Sequence, residues 1–371
     1  MSSRAVLEGL LDRGEIEMNH ADLLDQAPSA VDVAAARGRL RGMMLGLAIG
    51  DSLGNTSESM NPGARAAKYG AVRDYLPNRY ADGEPRGVPS DDTQLAFWTL
   101  EQMLEDGHLD PERLMAKFGR QQIYGIGSTV RRSLEALRSG QPWQRCGQRS
   151  AGNGAVMRIA PLVYPHVARP SIDLWADVAL ATVVTHNDTA ALASSLAFVC
   201  QLWSLLDLDR PPPSHWWAET FVAAAAPFER DTVYLLRGGE FEGFEGSLTQ
   251  FVELTVGHAL RRDWTTRRAC DSWYSGAYLL ETVPSVLYIL ARYADDPQEA
   301  IVRAVNDTRD NDTIAAIVGA AVGALHGEDA LPLRWRRGLL GRTVAGDDGR
   351  VQHLLALADA RFLGDAVPEV G

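Results

Sequence analysis

Apolar residues recur every three or four positions along most of this chain, which is the spacing of one buried face of an α-helix. In the stretch from Leu40 to Asp51, apolar residues stand at positions 40, 43, 44 and 47. The same spacing predicts helices over 94–105, 111–123, 171–185, 189–206, 248–262, 277–293, 298–305 and 313–326. The alternating patterns typical of strands are scarce. The sequence therefore predicts an all-α protein with one compact multi-helix domain over residues 38–371.

Two of the predicted helices carry glycine at every fourth position. The first row is Gly42, Gly46 and Gly50, and the second is Gly319, Gly323 and Gly327. Glycine inside a helix costs about 1 kcal/mol relative to alanine, so each row indicates close approach of another backbone. Either each row meets an unrelated helix, or the two rows face each other with the helices antiparallel. The second arrangement would bring Asp51 beside residues 310–313.

Residues 1–37 are predicted to form a helical extension that precedes the domain. Up to residue 35 this segment contains seven acidic and two basic residues, together with a set of apolar residues at helical spacing. An amphipathic acidic segment is suited to docking onto a partner protein. It can equally pack as a cap on its own domain, and the sequence leaves both arrangements open.

The composition argues against two kinds of partner. The chain of 371 residues has a formal net charge of -12 and no block of lysine and arginine, whereas nucleic-acid binding requires a basic surface. Its most apolar segment, 190–206, is shorter than a membrane-spanning helix needs. The N-terminus lacks the apolar stretch of a signal peptide, and three widely spaced cysteines fit a reducing compartment. We therefore expect a cytoplasmic protein with no nucleic-acid or membrane partner.

A similar four-residue motif occurs twice in the chain, at positions more than two hundred residues apart. Ser-Asp-Asp-Thr at 90–93 and Asp-Asn-Asp-Thr at 310–313 each precede an apolar helical run. Aspartate, serine and threonine are common helix N-caps, so one such stretch by itself indicates ordinary capping. Packed carboxylates repel one another unless a cation lies between them. Capping therefore does not account for so many acidic residues in two stretches.

The side chains of these two stretches are oxygen donors, which indicates the kind of metal that they would bind. Carboxylates and hydroxyls favour Mg²⁺ or Mn²⁺, and the sequence has no Cys and His set at zinc spacing. The predicted metal ligands are Ser90, Asp91, Asp92, Asp310, Asp312 and Thr313. Four carboxylates and two hydroxyls exceed the needs of one octahedral ion, so the set predicts two ions bridged by a carboxylate.

Three further features have both an ordinary and a functional interpretation. A Gly-Asn-Gly turn at 152–154 precedes a predicted helix, where backbone N–H groups either bind a phosphate or simply form a capped turn. His186 lies in a polar stretch between two helices, where a histidine is either structural or contacts a ligand. Glu58 follows the first glycine-containing helix and, taken alone, would be an exposed loop residue.

Taken together, these stretches resemble the ADP-ribosylglycohydrolase family, which includes dinitrogenase-reductase-activating glycohydrolases and ADP-ribosylarginine hydrolases. The matching stretches occur in family order at 42–58, 90–96, 125–134, 152–162, 185–193, 276–290 and 310–327. They cover nearly everything after residue 38. The resemblance implies a compact orthogonal all-α fold with a cleft. It also implies two Mg²⁺ or Mn²⁺ ions per chain in this cleft, held by the six predicted metal ligands.

The resemblance also implies roles for residues outside the metal set. Asp92 and Glu58 would be catalytic, orienting a water molecule and accepting its proton. The implied substrate-binding residues are Gly127, Ser128, Gly152, Asn153, Gly154, Met157, His186, Tyr274 and Tyr278, with the two tyrosines on the adenine side. The reaction would be hydrolysis of the N-glycosidic bond between ribose and an arginine guanidinium. The pattern does not separate arginine from other ADP-ribose linkages.

This chain departs from the family pattern at three places. Ser90 stands where threonine is usual, which preserves the hydroxyl. Arg309 and Asn311 interrupt a stretch that usually reads Gly-Gly-Asp-Thr-Asp-Thr, and Arg309 is long enough to reach the substrate or close the cleft. The extension over residues 1–37 is additional. The extension and this variant stretch resemble the immunity proteins that protect bacteria from ADP-ribosyltransferase toxins.

Two functions follow from this resemblance. In the first, the protein removes ADP-ribose from an ADP-ribosylated protein and so reverses the effect of a cognate toxin. In the second, it binds the toxin stoichiometrically, with residues 1–37 filling the active site of the toxin, with or without hydrolase activity. Loss of the metal ligands would abolish the first function and spare the second.

Overall fold

Helices make up most of the described chain, residues 2–236 and 238–364, in this computed structural model. The helices are α1 (Ser3–Asp12), α2 (Val33–Gly54), α3 (Pro62–Tyr69), α4 (Asp91–Asp106), α5 (Pro111–Arg120), α6 (Ser128–Arg138), α7 (Tyr164–Val167), α8 (Asp173–Val183), α9 (Thr189–Leu205), α10 (Ser214–Ala225), α11 (Leu248–Arg261), α12 (Thr266–Ser272), α13 (Leu279–Tyr293), α14 (Pro297–Asp307), α15 (Asn311–His326), α16 (Leu333–Gly338) and α17 (Arg350–Leu363). Two short strands, β1 (Tyr234–Leu235) and β2 (Glu245–Gly246), pair antiparallel. The predicted all-α fold class is confirmed.

Each helical segment that the apolar spacing predicts coincides with a helix whose ends differ by a few residues. Short helices such as α3 and α12 do not show in the sequence, because they span too few turns to establish a period. The last residues of the predicted domain, 365–371, lie outside the described part of the chain. No helix within that described part has the length and apolar character needed to cross a membrane.

The two glycine rows face each other where α2 and α15 pack antiparallel. A Cβ atom added to Gly46 would lie 2.1 Å from the carbonyl oxygen of Gly319, and one added to Gly42 would lie 2.5 Å from that of Gly323. At the other end of the pair, Gly54 lies against the backbone of Asp312. The prediction that the rows meet is confirmed. The backbone contact places the end of α2 beside the start of α15.

The N-terminal extension packs against the helical domain through its apolar side chains. Leu7 and Leu10 of α1 are buried, as are Ile16, Met18 and Leu24 in the segment that follows. Helix α1 lies against α8 of the domain. Of the two arrangements that the sequence left open, the structure therefore shows the extension as a cap, with its apolar residues already covered.

Helix α2 is continuous through the predicted boundary between the extension and the domain. Its N-cap is Asp32, whose carboxylate accepts the backbone N–H of Ala34 at 2.9 Å. The helix then runs from Val33 to Gly54, so a boundary between residues 37 and 38 falls inside it. The capping aspartate, which the apolar spacing does not reveal, places the start of the first domain helix at Val33.

We expect Gly46→Ala to destabilise the protein strongly, because the added methyl group meets a backbone carbonyl of the partner helix. Overpacking a protein core costs about 1–3 kcal/mol, and a clash with backbone should reach the upper end of that range or exceed it. Chemical denaturation would measure the change in the free energy of unfolding.

Gly38→Ala is the matched control for this prediction, because it lies on the same helix with no heavy atom within 4 Å of an added Cβ. Alanine should raise stability there by about 0.5–1 kcal/mol through its better helix propensity. Similar effects from both substitutions would show that the glycine rows are not in contact.

Candidate active site

The first acidic stretch lies at the start of α4, where Asp51 of α2 holds it. The Asp51 carboxylate accepts hydrogen bonds from the backbone N–H and the hydroxyl of Ser90 at 2.8 and 2.5 Å. It also accepts the backbone N–H and the hydroxyl of Thr93 at 3.2 and 2.5 Å. Asp51 therefore caps α4 from a neighbouring helix, and Ser90 makes no capping bond of its own. The carboxylates of Asp91 and Asp92 are not needed for capping.

The second acidic stretch lies at the start of α15 and is held from several sides. The side-chain amide of Asn153 donates to the carboxylate of Asp310 at 2.5 Å. The side-chain amide of Asn311 donates to the carbonyl oxygen of Gly54 at 2.9 Å. The hydroxyl of Thr313 lies 3.4 Å from the carboxylate of Asp92, to which it donates. The last contact joins the two acidic stretches directly.

Burial and mutual repulsion raise the pKa values of the carboxylates in this cluster. Burial, followed by neighbouring carboxylates, raises the pKa of Asp91 to about 8. Burial raises the pKa of Asp310 to about 6. The pKa values of Asp92 and Asp312 are also raised well above the ordinary value, by burial and then by the neighbouring carboxylates. Ionising all of these groups together costs free energy, which a bound cation would offset.

The chemistry of the cluster fits a hard divalent cation, although the side chains do not form a complete site. The available donors are carboxylate and hydroxyl oxygens, and Oδ1 of Asp92 is buried without a hydrogen-bond partner. Within residues 2–236 and 238–364, no group of three or more Asp, Glu, His or Cys side chains is arranged to hold a metal ion.

A cleft of about 580 Å³ opens onto both acidic stretches. The sequence-predicted residues that line it are Glu58, Asp91, Gly127, Ser128, Gly152, Asn153, Gly154, Met157, His186, Tyr278, Asp310, Asp312 and Thr313. Residues that the chain separates by more than two hundred positions therefore share one concave surface. The tertiary structure brings together most of the site that the sequence and the family resemblance indicate.

Three of the predicted site residues do not line this cleft. Asp92 is buried beside it, and Ser90 lines a neighbouring cavity. Tyr274 is 43% exposed, and its ring stacks on the guanidinium of Arg309 with 4.3 Å between the Arg309 Cζ atom and the ring centroid. This stacking engages both side chains outside the cleft. Neither Tyr274 nor Arg309 is among the residues that line the cleft.

The glycine turn at 152–154 forms one wall of the cleft. The backbone N–H of Asn153 donates to the carbonyl oxygen of Ala277 at 3.0 Å, which ties the turn to the start of α13. A Cβ atom added to Gly154 would lie 3.1 Å from the His186 ring, so the absent side chain lets the turn pass close to this histidine. The turn leads into a 3₁₀ turn over Val156–Arg158, where the sequence predicts a helix.

His186 lies buried at the edge of the cleft as a neutral side chain. Its Nδ1 atom is 2.9 Å from the hydroxyl of Thr185, and that hydroxyl accepts a hydrogen bond from Arg158 at 2.7 Å. If the Thr185 hydroxyl donates its proton to Nδ1, the ring proton lies on Nε2. Burial and the positive charge of Arg158 lower the pKa of His186 to about 3. His186 can therefore present an uncharged N–H donor to a ligand.

The cleft also contains residues that were not among the predicted site residues. Arg132 and Arg149 lie on its walls, together with Asp188 and Tyr234. The Tyr234 hydroxyl donates to the Asp188 carboxylate at 2.8 Å, which fixes both side chains. Arginine side chains in a cleft attract phosphate groups and other anions. Both arginines lie within a few residues of predicted substrate-binding positions, Ser128 and Gly152, but residue type and spacing alone did not single them out.

The N-terminal extension reaches the rim of this cleft. The Glu17 carboxylate lies 2.5 Å from the guanidinium of Arg149 and 2.9 Å from that of Arg230. The side chain of Asn187, next to His186, accepts the backbone N–H of Glu17 at 2.9 Å. The extension therefore contacts one of the arginines that line the cleft.

Comparisons with known proteins give the same family as the sequence motifs. Residues 32–369 match the family model described as ADP-ribosylglycohydrolase. The ADP-ribosyl-[dinitrogen reductase] glycohydrolase of Rhodospirillum rubrum is 26% identical, over 86% of this chain and 96% of that protein. The ADP-ribosylarginine hydrolase Tri1 of Pseudomonas putida is 27% identical, over 90% of this chain and 79% of that protein. A solved structure described as an ADP-ribosylglycohydrolase-related protein complex has a TM-score of 0.61 and 27% identity, covering 89% of this chain and 99% of that one.

We expect His186 to stay uncharged between pH 5 and pH 8, because burial beside Arg158 holds its pKa far below this range. A histidine in the unfolded chain has a pKa of about 6.5, so the unfolded chain binds one more proton between about pH 3 and pH 6.5. The contribution of His186 to stability is therefore lost as the pH falls through this window.

The measurement is an NMR titration of the histidine ring signals, with His186→Gln used to assign the signal of His186. Its chemical shift should not change between pH 5 and pH 8. A shift with a midpoint near pH 6 would show that the ring is accessible and that its donor role depends on pH.

Proposed function

The chain belongs to the ADP-ribosylglycohydrolase family, and from this we propose that it hydrolyses the bond joining ADP-ribose to an arginine side chain of a modified protein. The observation that carries the proposal is the convergence of Asp91, Asp310 and Asp312 on one cleft. The choice of arginine is supported by the similarity to the Pseudomonas putida ADP-ribosylarginine hydrolase. Release of protein-bound ADP-ribose is the activity that tests it.

The walls of the cleft suit an anionic nucleotide. A volume of about 580 Å³ lies within the range of about 300–1,000 Å³ that is usual for small-molecule sites. Arg132 and Arg149 supply positive charge for a pyrophosphate, and the turn at 152–154 offers backbone close to the ligand. His186 supplies a neutral N–H donor. These groups would hold the ADP-ribose and leave its glycosidic bond beside the acidic cluster.

We propose two divalent ions, Mg²⁺ or Mn²⁺, as the cofactors of this cluster. The proposed ligands are Ser90, Asp91, Asp92, Asp310, Asp312 and Thr313, as the sequence predicts. Ions bound there would supply positive charge to the ribose hydroxyls and to a water molecule. The hard oxygen donors, the unpaired Oδ1 atom of Asp92 and the raised pKa values of the carboxylates support this proposal.

Glu58 is the residue that we propose to orient the attacking water and accept its proton. It is exposed to the cleft, whereas Asp92, the other catalytic candidate, is buried. Burial by the cleft walls and the charges of Asp310 and Asp51 raise the pKa of Glu58, which makes its carboxylate a better base. The bond between ribose C1″ and nitrogen breaks, its electron pair leaves on the guanidine nitrogen, and water supplies the new C1″ oxygen. Glu58 then passes the proton of that water to the departing guanidine. The products are ADP-ribose and unmodified arginine.

The wild-type protein is expected to release labelled ADP-ribose from arginine-modified protein, and EDTA should stop the release. Asp91→Ala combined with Asp312→Ala should lower the rate at least about a hundredfold, because both proposed ligand sets lose a carboxylate. The same assay on serine-linked ADP-ribose tests the linkage. Release from the serine-linked substrate alone would contradict the proposal of arginine specificity.

Thermal unfolding is the control that does not depend on turnover. Mg²⁺ or Mn²⁺ should raise the Tm of the wild type, because an ion that binds the folded state stabilises it. The same ions should not raise the Tm of the double variant. A wild type whose Tm and activity are both indifferent to divalent ions and EDTA would exclude the metal proposal.

We further propose that the protein acts in the cytoplasm as an immunity protein against an ADP-ribosyltransferase toxin. The acidic extension, in which the sequence resembles such proteins, supports this role. Its apolar side chains pack on the domain, but Asp12 and Asp22 are exposed. A toxin that docks on the extension would therefore meet an acidic surface, and electrostatic complementarity would require basic residues on the toxin.

Co-expression with an arginine-specific ADP-ribosyltransferase separates reversal from blockade. Cells should survive with the wild type and die with Asp91→Ala plus Asp312→Ala if protection requires hydrolysis. Survival with that double variant, lost on adding Asp12→Lys and Asp22→Lys, would instead show that the extension blocks the toxin. No protection by the wild type would count against the immunity role.

A further inference from the structure

A second cavity, of about 550 Å³, adjoins the cleft at the acidic cluster. Glu58 and Gly125 line both cavities, and the consecutive residues Ser90 and Asp91 line one each. Gly125 has a φ of +79°, and a Cβ atom there would lie 3.0 Å from the Asp91 carboxylate. The two cavities therefore meet at the start of α4, beside the position where the reacting bond would lie.

Two tyrosine rings form a wall of the second cavity. The ring centroids of Tyr80 and Tyr124 are 5.4 Å apart, with 44° between the ring planes. The backbone N–H of Tyr124 donates to the side chain of Gln94 at 2.8 Å, and that of Tyr80 donates to the side chain of Asn78 at 2.8 Å. Tyr80 is nevertheless 48% exposed. The backbones of both tyrosines are thus fixed by hydrogen bonds, and Tyr124 is half-buried in the wall of the second cavity.

The contact between Arg79 and Tyr80 shows that this wall accepts a planar cation. The Cζ atom of Arg79 lies 4.7 Å from the Tyr80 ring centroid, and its guanidinium donates to the Tyr80 hydroxyl at 2.8 Å. Guanidinium groups stack on aromatic rings through cation–π attraction. Arg79 is next to Tyr80 in the sequence and stacks on the Tyr80 ring. Tyr124 is therefore the ring of this wall that can stack on an external group.

The charged residues differ between the two cavities. The cleft combines Arg132 and Arg149 with the glycine turn, which suits the anionic pyrophosphate of ADP-ribose. The charged residues that line the second cavity are Glu58 and Arg79, and Arg79 is already stacked on Tyr80. ADP-ribosylarginine itself has an anionic nucleotide end and a guanidinium end. The two cavities match these two ends and meet at Glu58.

We propose that the second cavity binds the modified arginine side chain and its flanking peptide, with the guanidinium between Glu58 and Tyr124. This inference rests on the proposed function, because it assigns the place of the leaving group in that reaction. After cleavage, the arginine remains in the second cavity and the ADP-ribose in the cleft. Each product can then leave without passing the other.

The test compares kinetics on an ADP-ribosylated arginine peptide for wild type and Tyr124→Ala. The substitution should raise KM about tenfold and leave kcat within about threefold, because stacking on the arginine is present before and during bond cleavage. The inhibition constant of free ADP-ribose should not change, because ADP-ribose occupies the other cavity. Tyr124→Phe retains the ring and should behave like the wild type.

Tyr69→Ala is the matched control, because Tyr69 also carries a stacked cation, Lys68 at 4.8 Å, and lines neither cavity. Its KM should equal that of the wild type. Thermal unfolding verifies that each variant folds. Should Tyr124→Ala not fold, Tyr124→Leu keeps an apolar side chain without the aromatic face and should raise KM in the same way.

Arg79→Ala tests the charge of the ligand. Removing a like charge should leave KM for the cationic peptide unchanged or lower it. A severalfold rise in KM for Arg79→Ala would indicate an anionic ligand and overturn the inference. If the wild type hydrolyses the substrate, an unchanged KM for Tyr124→Ala would also overturn the inference. A loss of affinity for free ADP-ribose as large as the rise in KM of this variant would overturn it too. A wild type that hydrolyses no ADP-ribosylated substrate would overturn the proposed function, and the inference with it.

Discussion

Backbone contact between α2 and α15 is the constraint on which the rest of the site depends. The facing glycines let the two helices touch along their length, with Gly46 against Gly319. This contact places the end of α2 at the start of α15. Asp51, near that end, then binds the first residues of α4 through four hydrogen bonds to Ser90 and Thr93. Two interactions thus bring three helix ends together, and a side chain larger than hydrogen within the rows would separate them.

The acidic cluster that results is unfavourable for the folded protein taken alone. Burial and mutual repulsion raise the pKa values of its carboxylates, and an oxygen of Asp92 has no hydrogen-bond partner. In a structural ion cluster, each charged side chain normally has a partner of opposite charge. Buried carboxylates with raised pKa values beside a cleft are instead typical of a functional site. The close backbone contact between α2 and α15 holds these carboxylates near one another despite their repulsion. Stability of the helix pair and chemistry in the cleft are therefore linked.

Glu58 is the acidic residue shared by the two cavities. It stands where two cavities meet, with arginines on the walls of one and tyrosine rings on a wall of the other. The N-terminal extension adds to the first cavity from outside, because Glu17 contacts Arg149 at its rim. The extension is thus part of the same structural unit as the cleft, whatever partner its acidic surface meets.

The sequence by itself determined most of the long helices, the two glycine rows, the acidic stretches and the family. These features depend on residue type and spacing within short windows, so they can be read without knowing the fold. Only the tertiary structure decided that Asp51 caps α4, that Tyr274 stacks on Arg309 outside the cleft, and that Arg132 and Arg149 lie on the cleft walls. It also decided that the apolar side of the extension is covered. Each of these depends on which side chains from distant segments become neighbours, and helix packing sets those distances.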